Sequence, residues 1–150
     1  MRKELYLEIK NRIKGILDAG NQPVFKHFDL WNRQVEFLEQ EAKFQCPAIF
    51  VEFNPIVWDK LTEDEQTALP VVRIHIVTNW YGQTADYSPK ESEMLNYLNL
   101  PDVLYQHLML FDAGSAFLFE RTQSITNHNH ERLVDSVEEY SCRIIDRFQN

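Results

Sequence analysis

The segment "PAIFVEF", residues 47–53, places apolar side chains on both faces of one extended strand. Alternate residues of a strand point to opposite faces. Ile49, Val51 and Phe53 therefore share one face, and Ala48, Phe50 and Glu52 share the other. A strand that is apolar on both sides belongs inside a sheet. Pro47 opens it and Pro55 closes it, because proline cannot donate to a strand ladder. The rest of the chain must supply its neighbours and cover its faces.

The neighbours are readable from their alternation. "VVRIHIVTNW", 71–80, predicts a strand with Val72, Ile74 and Ile76 inward and Arg73 and His75 outward. "VFKHFDLW", 24–31, alternates loosely and is aromatic-rich, which also predicts a strand, followed by a turn at "NRQ". Residues 35–41 read as an extended edge segment, although "EFLEQEAKF" also fits a helix. "AFLFERTQS", 116–124, and "RLVDSVEEYSCRIIDRF", 132–148, predict two further strands joined by a polar segment.

Helical spacing appears twice. Leu5, Ile9, Ile13, Ile16 and Leu17 form one apolar stripe and predict a helix over 3–19, with Gly20 as its stop and Pro23 barring continuation. Glu4, Glu8, Arg12 and Lys14 fall on the rest of its surface. In the second half, Ser88 can cap a helix that has Pro89 at its first position. That helical stretch is expected to break at "NLP", 99–101. A partner helix then runs over about 102–112, with Val103, Leu104, Leu108 and Phe111 as its stripe and Gly114 as its end. Residues 54–69 read as a long acidic connection holding Trp58 and a capping box, Thr62 to Glu65, for one helical turn. Residues 81–92 read as a loop.

The order helix, strands, helices, strands predicts an α+β fold. It is a single antiparallel or mixed sheet with an N-terminal helix and a central helical pair packed on it. At 150 residues, without internal repeat or linker, one domain spanning 1–150 is expected. No apolar run approaches the roughly 18 residues of a membrane helix, and no uncharged signal segment follows the charged N-terminus. The reading is a cytoplasmic chain.

Composition narrows the function classes. The net charge of −8 makes nucleic acid a poor partner, because that affinity comes largely from Lys and Arg displacing counterions. The acid clusters "EFLEQE" (36–41), "TEDE" (62–65) and "SVEEY" (136–140) read as solvated faces. Cys46 and Cys142 lack the spacing of a zinc or redox motif and read as buried thiols, with room to be neighbours in one sheet.

The segment "RTQSITNHNHERLVD", 121–135, is the strongest chemical candidate. His128 and His130 would point the same way in a strand, and Glu131 or Asp135 could complete a zinc site. However, "TNHNHE" lies between two strands and is built of turn formers, so a polar hairpin is the preferred reading. A His-Asn-His nuclease would need a following helix, where an extended strand is expected. His27, His75 and His107 stand alone and read as packed or surface residues. No nucleophile elbow or phosphate-cradling loop occurs, and the chain has only four glycines. We expect no catalytic, cofactor-binding or metal-binding residue.

Aromatics in connections stand out instead. Trp31 lies at a turn, Trp58 in the acidic loop, Trp80 and Tyr81 at a strand exit, and Tyr87 in the next loop. Such residues favour protein interfaces. Trp58, Trp80, Tyr81 and Tyr87, with Asp59 and Glu63 as a polar rim, are the expected contact residues. Their acids, with Asp64 and Glu65, could face Arg2, Lys3 and Arg12 of a neighbour.

In order and size the chain resembles the tail terminator, or tail-completion, proteins of tailed bacteriophages and prophages. The segments "FKHFDLWNRQVEFLEQEAKFQCPAIFVEF" and "ERTQSITNHNHERLVDSVEEYSC" carry most of the likeness. "VVRIHIVT" and the helical "SEMLNYLNLPDVLYQHLMLF" extend it over nearly the whole chain. The expected break at Asn99–Pro101 departs from the pattern, and no binding residues carry over.

The resemblance implies a non-enzymatic virion component. Its copies form a ring, commonly hexameric, that caps the tail tube and joins it to the head, with DNA passing through the lumen unbound. Such subunits are often monomers until a partner supplies the template. Assembly would occur in the host cytoplasm. The alternative is a small cytoplasmic α+β enzyme or ligand-binding domain using His128/His130 or a pocket lined by Trp58 and Trp80.

Overall fold

A computed structural model describes residues 1–35, 44–79, 85–109, 117–127 and 132–144. In chain order the elements are α1 (Arg2–Lys14), β1 (His27–Leu30), β2 (Ala48–Phe53), β3 (Trp58–Lys60), β4 (Gln66–Ala68), β5 (Val71–Asn79), α2 (Glu91–Leu108), β6 (Phe117–Asn127) and β7 (Leu133–Ile144). Five strands form one sheet in the order β1-β2-β5-β7-β6, and β3 pairs with β4 in a separate hairpin. The fold is α+β, as the sequence predicts. The sheet is antiparallel except that β1 runs parallel to β2.

The two faces of β2 are both used. Ile49 and Val51 lie opposite Ile76 and Ile74 of β5 and join Leu5, Ile9, Ile13, Leu100, Leu104 and Leu108 in the core beneath both helices. Fully burying an aliphatic side chain contributes about 1.5–3 kcal/mol, so the α1 stripe alone is a substantial anchor. Ala48 and Phe50 face the other way. They pack with Val35, Val77 and Leu133 under Trp31, Phe44 and Cys46. This second cluster covers the sheet face opposite α1 and α2.

Several local expectations are corrected. Helix α1 ends at Lys14 rather than at residue 19, with Gly15 as its cap. Beyond it the Asp18 carboxylate accepts from the backbone N–H of Gly20 and Gln22 at 2.9 Å, and Leu17 bridges to Pro23. The side chain offers the backbone a turn in place of another helical turn. Ile16 still reaches the core from outside the helix.

The connection 54–69 is a β-hairpin rather than a loop with a helical turn. Thr62 does accept the Glu65 N–H at 3.1 Å, but that bond closes the hairpin tip.

The expected pair of helices is one helix, α2, running through Pro101. An interior proline costs roughly 3 kcal/mol. Leu100, Leu104 and Leu108, four residues apart and buried on both sides of that proline, offset it. The helix starts at Glu91 with no side-chain cap, so Ser88 and Pro89 lie before it. His75 is buried rather than outward, because the second cluster covers that face. Cys142 joins the core beneath the helices and Cys46 the opposite cluster, so they are not neighbours. The expected edge segment (35–41, of which only Val35 is described), Phe111, Gly114 and the end of the last strand fall wholly or partly outside the described residues.

Candidate functional site

The β3–β4 hairpin leaves the sheet between Phe53 and Val71. Leu61 N–H donates to the Glu65 carbonyl at 2.9 Å and shuts the tip. A two-stranded ribbon has no interior of its own. Its apolar side chains therefore stay in solvent: Val57 is 73% exposed, Leu61 64%, Leu69 57% and Trp58 50%. Trp58, Leu69 and Arg143 of β7 line a shallow depression of about 440 Å³ at its base. Asp59, Glu63, Asp64 and Glu65 surround the apolar residues, and all four are exposed.

Of the six expected contact residues, Trp58, Asp59 and Glu63 share this hairpin. Tyr87 is also exposed, just before α2. Trp80 and Tyr81 lie outside the described residues. The hairpin enters β5 at Val71, whereas the loop carrying Tyr87 leaves after Asn79. Those points are about 26 Å apart at roughly 3.3 Å per strand residue, so the two loops depart from opposite ends of β5. Arg12 is not available to a neighbour. It is bonded to Glu8 at 2.7 Å and to the Leu108 carbonyl, and stacks over Phe119.

Sequence reasoning missed a cluster on the sheet face opposite α1 and α2. His75 Nδ1 is 3.0 Å from Asp135, and Nε2 is 2.9 Å from Glu52. The imidazole stacks on Trp31, with centroids 3.7 Å apart and planes 5° from parallel. For both contacts to be hydrogen bonds, both ring nitrogens must carry protons or a carboxyl must. With both nitrogens engaged and one ring face covered, His75 is built to hold β2, β5 and β7 together. Asp135, considered above as a metal ligand, is committed to this ring. His128, His130 and Glu131 lie outside the described residues. The register Phe50↔His75↔Val137 and the neighbouring Glu52 and Asp135 positions carried the signal, but only once strand pairing was known.

On the helix-covered face, burial pushes the Glu138 carboxyl up, while Ser124 donates to it at 2.6 Å and Arg121 stands 3.8 Å away. Arg121 also pairs with Asp102 of α2 at 3.1 Å and lies over the Tyr105 ring. Burial raises the Cys46 thiol to about 11 and the Cys142 thiol to about 12, so neither is a ready nucleophile near neutral pH. Among the described residues no group of three or more His, Cys, Asp or Glu is placed to hold a metal ion, and no helix is long and apolar enough to cross a membrane.

Compared with protein-family models and with curated proteins, the chain matches none.

Proposed function

We propose that the chain is a structural subunit of a tailed-phage or prophage virion. In this reading it is a tail terminator-like protein whose copies close into a ring, hexameric in the virion, that caps the tail tube and joins it to the head. The observation that carries the reading is the β3–β4 hairpin, whose Val57, Trp58, Leu61 and Leu69 are exposed by half or more among the described residues. A ribbon of this kind gains stability when another chain covers it. The α+β element order and the pattern likeness support the family. The net charge of −8 suits a channel wall along which DNA slides without sticking. Its partners would be further copies of itself, the tail tube and head-completion proteins, met in the host cytoplasm. No catalysis is assigned.

The test is a virion-assembly assay with Trp58→Ala and Trp80→Ala. Variants that fold normally but leave tails uncapped support the reading. A parent that never joins tail tubes, and binds stoichiometric zinc as a monomer instead, overturns it in favour of a metal-binding domain.

A further inference from the structure

Resting on the ring reading, we infer that the hairpin tip of one subunit seats in a basic pocket of the next copy. The tip is Leu61 with Glu63, Asp64 and Glu65. The pocket lies at the end of β1 and β2, where Arg2, Asn32, Arg33 and Trp31 stand around Leu30 and Val51.

The two surfaces match in chemistry. Between residues 59 and 65 the hairpin carries four carboxylates and one lysine, a net charge of −3. Arg2 and Arg33 are both exposed and line the receiving side. The carboxylate that lines the pocket, Glu52, is already bonded to His75 at 2.9 Å. Leu61 and Leu30 are both exposed large hydrophobics, at 64% and 48%. The pocket is an open depression of about 520 Å³. A leucine and its turn fit that scale.

The two surfaces also match in placement. β2 ends at Phe53 beside the pocket and runs directly into the hairpin, so donor and acceptor lie at the same end of the sheet. They lie on different sides of it. The hairpin rests near Arg143 of β7, whereas the pocket lies over β1 and β2, and β5 runs between. A head-to-tail contact needs two different patches on one subunit. A rotation that carries one patch onto the other is the operation that builds a closed ring.

The experiment uses three chains: the parent, an acceptor variant (Arg2→Glu with Arg33→Glu) and a donor variant (Glu63→Lys with Glu65→Lys). Mass is measured by sedimentation in solution and on tail tubes. Thermal melting checks that each chain folds. The parent should form multimers that weaken as salt rises. Each variant alone should associate at least tenfold more weakly. An equal mixture should associate again, because the reversed tip of the donor variant meets the reversed pocket of the acceptor variant and the intact tip meets the intact pocket. A second measurement leaves the charges alone: Leu61→Cys on one copy and Asn32→Cys on another should be joined by a short bismaleimide. If the parent multimerises while the charge variants do the same, or while the thiol pair does not join, this contact is wrong and the ring reading stands. If the parent stays monomeric in both settings, the ring reading itself fails and takes the contact with it.

Discussion

The Trp31 indole lies flat on the His75 imidazole, 3.7 Å away, while Asp135 and Glu52 hold the two ring nitrogens. Four separate chain segments meet at this one ring. His75→Ala would leave the Asp135 carboxyl, 2% exposed, without its imidazole partner. Breaking a buried charged contact from one side costs about 3–5 kcal/mol. His27→Ala, at a half-exposed ring, should cost less than about 1 kcal/mol. Urea unfolding of the two variants measures the difference. Equal midpoints would show that the cluster contributes nothing.

Pro101 tests whether α2 is one element. Pro101→Ala restores a backbone N–H in the helix interior and relieves the ring's crowding of the preceding turn. With Leu100 and Leu104 already seated, stability should rise by about 1–3 kcal/mol. A fall in the unfolding midpoint would mean that the chain needs a break there, as the sequence pattern suggests.

Glu138 gives a pH dependence with a definite sign. Burial raises its folded pKa above the ordinary 4.5, with the Ser124 and Arg121 contacts opposing. The folded state then holds the proton more tightly than the unfolded one. Stability from this group is present below about pH 4.5 and is lost as pH rises through the higher folded value. Glu138→Gln should therefore match the parent in acid and become progressively more stable than it as pH rises. The gap can grow by at most about 1.4 kcal/mol per pH unit. Parallel stability curves for the two chains would show that burial does not govern this carboxyl.

How far the sequence reaches depends on where each signal lives. β2, β5 and β7 were readable because their own alternation states which side chains share a face. Gly15 and Asp18 ended α1 early through local turn chemistry that a stripe of apolar residues outweighs on paper. His75 was misplaced because alternation assigns a face but does not say what covers it. Its cover, Trp31 and Phe44, arrives from far along the chain. The hairpin was missed because its strands have three residues each, too few for a period to show. Trp58, legible as an aromatic in a connection, is half exposed, and the parallel pairing of β1 has no local signature at all.

The last prediction separates the surface that folds the chain from the surface proposed to assemble it, using the same change at two sites. Ile13 is 2% exposed in the core beneath the helices, and Val57 is 73% exposed on the hairpin. An aspartate at Ile13 would bury a charge with no partner, at several kcal/mol. Small domains hold only about 5–15 kcal/mol in total, so Ile13→Asp should lose most of its cooperative melting. An aspartate at Val57 removes no buried contact and should leave unfolding within about 0.5 kcal/mol of the parent. It does add a charge to apolar surface that another subunit would have to desolvate. Val57→Asp should therefore fold like the parent yet cap tails poorly, whereas Ile13→Asp should fail at both. Melting curves and the tail-capping assay, run side by side, decide it. If Val57→Asp caps normally, the hairpin's apolar face is not where the subunits meet. If Ile13→Asp melts like the parent, α1 is not docked on the sheet.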